Sequence, residues 1–197
     1  MRDGELLLIF GPPAVGKMTV GRAVCARSGF RLFHNHHTIE PLIEVFDHGT
    51  PPFNLLNAEF RRRVIEEAAA SGTRLVFTYA FAVDLVEDVA EVERLIAPYA
   101  DAGLPVSAVE LQADLDTRLA RNRGADRIAA KPSKRDLAWS DDHVRSTHAT
   151  YRMHTAPDDP SAADALLARM PHLRLDNTSL SPQAAAGAIL DWLPTTR

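Results

Sequence analysis

The chain has 197 residues, 46% of them hydrophobic and 24% charged, with a formal net charge of −4. That size suits one domain with a core large enough to fold without metal or disulfide, and a single cysteine, Cys25, excludes an internal disulfide. The acidic balance gives no reason to expect nucleic acid as a partner, and the first apolar run, residues 6–10, is too short to cross a bilayer. Residues 1–5 also lack the basic flank and small-residue cleavage site of a secretory leader, so a cytoplasmic protein without a membrane partner is expected.

The elements alternate strand and helix. A short apolar strand is predicted at residues 5–10, turning at Gly11. A helix follows over 16–28 and stops at Gly29, a usual C-terminal residue. The second strand, 30–33, runs into His34-Asn35-His36-His37. A helix is predicted at 39–46, a break at Gly49-Thr50-Pro51-Pro52, and a longer helix at 55–70. The third strand is 74–79, followed by a helix over 85–99. The fourth strand, 106–111, leads to a helix over 114–123 and a polar, basic loop over 124–136. Further helices are predicted at 140–153 and up to residue 169. A fifth strand at 173–176 precedes a last helix ending near Trp192, with Ser181 as cap and Pro182 in the first turn. This alternation predicts an α/β fold with a parallel sheet and helices on both faces, in a single domain spanning 1–197.

The strongest motif is Gly11-Pro12-Pro13-Ala14-Val15-Gly16-Lys17, which has the spacing G-x-x-x-x-G-K between a buried strand and a helix. Glycines let the backbone wrap closely around phosphates, and successive N–H groups at the helix start present positive potential to them. Lys17 reaches the β- and γ-phosphates of a nucleoside triphosphate in such a loop. Residues Gly11, Pro12, Pro13, Ala14, Val15, Gly16, Lys17, Met18 and Thr19 are therefore the expected nucleotide site, with ATP as ligand. One position departs from the motif. A Ser or Thr hydroxyl normally follows the lysine and helps hold Mg²⁺, but here it is Met18, and a thioether is a poor ligand for a hard cation. Thr19 lies roughly 100° further around the helix. Mg²⁺ is expected with the nucleotide, yet its usual protein ligands are missing.

The run from Gly11 to Arg22 resembles the start of shikimate kinase and its small-molecule kinase relatives, the gluconate kinases and chloramphenicol phosphotransferase among them. Where those kinases carry Asp-x-Asp and then Ile-Glu, this chain has His34-Asn35-His36 and Ile39-Glu40. The stretch Asp114-Leu115-Asp116-Thr117-Arg118-Leu119-Ala120-Arg121 resembles the helix leading into the kinase lid. Leu175 to Thr178, followed by Leu180-Ser181-Pro182, resembles the last strand and adenine-side loop. The resemblance implies a P-loop NTPase fold, a five-stranded parallel sheet in the order 2-3-1-4-5. It implies a substrate-binding region over about 34–70 and a lid over about 121–137. It also implies transfer of the ATP γ-phosphate to a hydroxyl of a small molecule. Both aspartates of the Asp-x-Asp pair are replaced, which puts shikimate itself in doubt.

Candidate catalytic residues follow. Arg118 and Arg121 are three apart and share a helix face, where cations stabilise charge on a transferring phosphoryl group; Arg127 and Lys131 lie in the loop beyond. His34 and His36 alternate by two, so they share a side of an extended segment. Three readings of the histidines stand open: a general base, a transition-metal site, or loop hydrogen bonding. His36 is the candidate base and His34 a substrate contact, with Glu40 and Asp84 as fallback bases. Arg61, after Phe60, matches a carboxylate-binding arginine of the resembled kinases, with an exposed helix face as the alternative. The competing functions are a nucleotide-binding protein with little transferase activity and a metal-dependent nucleotide hydrolase.

Overall fold

The computed structural model describes residues 4–124 and 136–194. In chain order the elements are β1 (Glu5–Phe10), α1 (Lys17–Cys25), β2 (Arg31–His34), α2 (His36–Ile43), α3 (Pro51–Ala70), β3 (Arg74–Thr78) and α4 (Val86–Asp101). They continue with β4 (Val106–Gln112), α5 (Leu115–Asn122), α6 (Leu137–Thr150), α7 (Asp164–Leu167), β5 (His172–Asp176) and α8 (Pro182–Trp192). The five strands form one parallel sheet in the order β2-β3-β1-β4-β5, the order the kinase resemblance implies.

β1 lies at the centre of that sheet, and all six of its residues are buried. Its apolar residues split by strand alternation. Leu6, Leu8 and Phe10 pack on one face with Ile65, Phe77 and Tyr99, while Leu7 and Ile9 pack on the other with Val20, Val24 and Ile189. A strand covered on both sides needs a continuous apolar run rather than an alternating one. Each fully buried Leu or Ile side chain contributes about 1.5–3 kcal/mol. The register places Ile9 beside Thr78, Thr78 beside His34, and Gln112 beside Asp176. The carboxyl ends of the strands therefore meet at one edge, where ligands bind in open α/β sheets.

Two helix starts differ from the sequence expectation. The Pro51-Pro52 pair begins α3 instead of breaking the chain before it, because Thr50 is its extended N-cap and the prolines take the first two positions, which need no N–H partner. α2 starts at His36 rather than at residue 39, with Asn35 already helical at φ −48° and ψ −36°. The chain leaves the extended conformation after His34, and the expected alternation of His34 and His36 does not hold. The predicted cap of the last helix is present: the Ser181 hydroxyl accepts from the Ala184 N–H at 3.1 Å. At the start of α5 the Asp114 carboxylate likewise accepts from the Thr117 N–H at 2.6 Å.

A buried carboxylate ties β4 to the segment after α6. Glu110 is fully buried and accepts from the Thr155 N–H at 2.9 Å and hydroxyl at 2.7 Å, and from the Gln112 amide at 2.6 Å. Desolvation alone would raise its pKa, but these bonds and His172 outweigh it and hold the carboxyl below the ordinary 4.5. The depressed pKa means that its stabilisation is present above pH 4.5 and is lost as the pH falls through the folded-state value. Glu110→Gln is expected to cost about 1–3 kcal/mol at neutral pH, with the gap to wild type closing in acid. Urea titrations at pH 7 and pH 3 check this, and an equal deficit at both would refute it.

Candidate functional site

The Gly11–Gly16 turn is built by backbone conformations few residues allow. Gly11 has φ 137° and Gly16 φ 107°, both in the region glycine tolerates. Ala14 adopts a left-handed φ of 63° despite its side chain. α1 then starts with no side-chain cap and no acidic residue in its first turn. Its first N–H groups therefore face the loop without a competing side-chain acceptor, the arrangement that suits an anion. The Lys17 amine donates to Gly11 O at 2.6 Å and Pro12 O at 2.8 Å, which holds it against the loop.

α5 grips this loop from the far side. Arg118 and Arg121 do share a face, and each donates to a loop carbonyl. Arg118 Nη1 reaches Pro13 O at 3.5 Å, and Arg121 Nη1 reaches Val15 O at 3.0 Å. Arg121 Nη2 also donates to Asn177 O at 2.7 Å and Thr178 O at 3.2 Å. The Asn177 amide returns to Val15 O at 3.0 Å. Burial lowers the pKa of both arginines, opposed by Asp114, yet a guanidinium stays charged in proteins. In this conformation Arg121 braces the loop instead of projecting as a free cation, while Arg118 makes one long contact with it. Arg121→Ala is expected to cost about 1.5–3 kcal/mol in chemical denaturation. It should also weaken binding of an ATP analogue by about tenfold, equivalent to 1.4 kcal/mol. Unchanged binding and stability would show that the brace is dispensable.

A cavity of about 1180 Å³ collects the central residues. Pro13, Ala14, Gly16, Lys17, Met18 and Thr19 line one part of it, and His34, Asn35, His36, Ile39, Thr78 and Ala80 another. Arg121, Asn177, Leu180 and Pro182 line a third part, and Trp139 and His143 project into it from α6. His36 Nδ1 lies 2.7 Å from Glu40 Oε1, one helical turn along α2. His34 is buried and its ring sits 3.7 Å from that of His37. Burial, reinforced by Arg22, lowers the His37 pKa.

Several expected site residues lie elsewhere. Arg61 does not line this cavity. It is only 5% exposed and donates to Asn35 Oδ1 and Asn57 Oδ1, with its guanidinium carbon 5.1 Å from the Tyr79 ring centre. It reaches the cavity only through Asn35. Its neighbours Arg62 and Arg63 pair with Glu66 and Glu67 on the exposed helix face. Asp84 is also outside: Arg152 binds both its oxygens, and those bonds lower its pKa, which makes it a poor base. Arg118 lines a different cavity. Arg127, Lys131 and most of the expected lid lie outside the described residues. Asn177 lies in the stretch that resembles an adenine-side loop, whereas no motif singles out Trp139 and His143. The i,i+4 spacing of Trp139 and His143, whose rings stack at 5.4 Å, was the available signal.

Among the described residues, no three His, Cys, Asp or Glu side chains form a group able to hold a metal ion. The position beside Lys17 is a buried thioether, Met18. These residues do not fit a protein-held Mg²⁺, which requires oxygen ligands in octahedral geometry. Among the described residues, no helix is long and apolar enough to cross a membrane.

No protein-family model and no curated protein matches the chain. Solved structures do match. A sugar kinase from Janibacter sp. HTCC2649 superposes with a TM-score of 0.58 at 16% identity, over 96% of this chain and 94% of the other. Shikimate kinase from Acinetobacter baumannii, solved with shikimate, gives 0.58 at 15% identity over 96% and 93%. The APS kinase of Mycobacterium tuberculosis, solved with AMPPNP and APS, gives 0.55 at 18% identity over 96% and 96%. At these identities the likeness establishes the fold alone: the chain shares the parallel α/β fold of these three solved structures along nearly its whole length.

Proposed function

We propose that the protein is an ATP-dependent phosphotransferase that acts on a hydroxyl group of a small molecule. The observation that carries this reading is the convergence in one cavity of the Gly11–Thr19 loop, Lys17 and the His36–Glu40 pair. The loop amides and the start of α1 hold the nucleotide phosphates, and the Lys17 amine leaves its loop carbonyls to neutralise charge on the transferring group. Asn177, Leu180 and Pro182 surround the base, on a wall braced by Arg121. Bound ATP supplies the phosphoryl group. The acceptor oxygen bonds to the γ-phosphorus as the bond to the β–γ bridging oxygen breaks, and ADP leaves. His36 takes the acceptor proton. Glu40 holds the Nδ1 proton, which leaves Nε2 as the accepting nitrogen. His34 and Asn35 contact the acceptor, and Arg61 sets the position of Asn35. A divalent cation accompanying the nucleotide would supply neutralisation of phosphate charge, and Met18 beside Lys17 would not hold it. The kinases of this fold act on different acceptors, so the fold alone names none.

The test is a turnover screen of hydroxyl-bearing metabolites and antibiotics with ATP, read by ADP release and by ³¹P NMR of the product ester. His36→Ala is expected to lower kcat about 10²–10⁴-fold with nucleotide affinity unchanged. ATP binding without turnover on any acceptor would favour the second reading, a nucleotide-binding protein without transferase activity, which Met18 beside Lys17 supports.

A further inference from the structure

A second cavity, of about 750 Å³, shares no lining residue with the first. It opens at the carboxyl ends of β4 and β5, between the start of α5 and the end of α6. Its wall carries Arg118, His148, Arg152, His154, Asp114 and Asp176. Most of these charges have partners. Arg152 is bound by Asp84 and Asp159. Asp114 accepts from the Thr117 N–H and hydroxyl, and Asp176 from the Thr178 N–H.

Arg118 is the exception. It is 1% exposed, and among the described residues its Nε has no hydrogen-bond partner and its one hydrogen bond, to Pro13 O, is stretched to 3.5 Å. A guanidinium carries five N–H donors; Asp114 lies within electrostatic range of this one, yet its Nε is left without an acceptor among the described residues, a costly arrangement for a buried charge. The exposed His148 and His154 imidazoles border the same space. Burial, then Arg118 and His154, hold the His148 pKa below its usual value, which shows that the three groups sit within electrostatic range of one another.

We infer that this second cavity binds a small oxyanion, a phosphate or carboxylate group, with Arg118 as its buried anchor and His148 and His154 at its mouth. The planar guanidinium fork matches two oxygens of such a group, and an arriving negative charge favours protonation of the His148 imidazole. The site borders the nucleotide loop at Pro12 but takes its anion-binding groups from α5, from α6 and from the residues just after α6, so it does not depend on the kinase reading.

Inorganic phosphate is the probe. The full chain is titrated calorimetrically in the presence of saturating non-hydrolysable ATP analogue, which occupies the Gly11–Thr19 loop. One saturable phosphate site is expected, weakened at least tenfold in Arg118→Met and at least threefold in His148→Gln. His148 is exposed, so its variant decides the matter if Arg118→Met fails to fold. Phosphate binding that is absent, or unchanged in His148→Gln, overturns the assignment, as does heat that persists undiminished in both variants.

Discussion

Lys17→Ala is expected to reduce ATP-dependent phosphoryl transfer by at least about 10³-fold, the scale seen when a preorganised group that stabilises transition-state charge is removed. The side chain emerges from the first residue of α1, and its amine already sits within 2.8 Å of the carbonyls of Gly11 and Pro12. Negative charge in the loop would displace it only slightly, so little reorganisation stands between the resting and working positions. Stability should fall much less, because the aliphatic stem is only half-buried and the helix starts without it. The comparison therefore separates chemistry from folding. A variant with wild-type turnover and an unchanged melting curve would remove Lys17 from the mechanism, and the kinase reading with it.

Gly11→Ala is the expected stability lesion. A Cβ at Gly11 would stand 2.3 Å from the carbonyl oxygen of Leu111 in β4, and the residue holds a φ of 137° that alanine avoids. Both the strand pair and the turn must shift to accommodate one methyl group. Backbone clash combined with forbidden φ belongs to the severe class of substitutions, at about 4–5 kcal/mol, or roughly 10–15 °C in Tm for a chain of this size. Circular-dichroism melting measures it. A Tm within two or three degrees of wild type would show that the loop relaxes freely, which would weaken the case for a rigid phosphate cradle.

Those two residues were legible in the sequence because their roles depend on local backbone chemistry. The spacing of Gly11, Gly16 and Lys17, between an apolar run and a helix, specifies a turn that only a few residues can make. The five strands were legible for a related reason, since short apolar runs bounded by turn residues permit little else. The start of α2 was less so: His34 and His36 were read as alternating along an extended segment, but Asn35 turns into the helix. The two histidines still share a cavity, and the helical geometry adds what spacing in a strand excludes, the contact between His36 and Glu40 one turn on.

The destinations of the charged side chains were not legible. Arg61, Asp84 and Arg118 each stand near an expected functional position in sequence, and each goes somewhere else: to two asparagines and a tyrosine ring, to Arg152, and to a second cavity. A long charged side chain reaches several ångströms in more than one direction, and its choice depends on partners far away in the chain, such as Pro13 for Arg118, 105 residues apart. The sequence by itself determined the phosphate-binding turn, the strand–helix alternation and the loss of a hydroxyl at Met18, because each follows from residue type and near-neighbour spacing. The tertiary structure alone decided which arginines brace the loop, which carboxylate is engaged and which histidine gains an acid partner, because those outcomes are set by burial and by contacts between segments far apart in the chain.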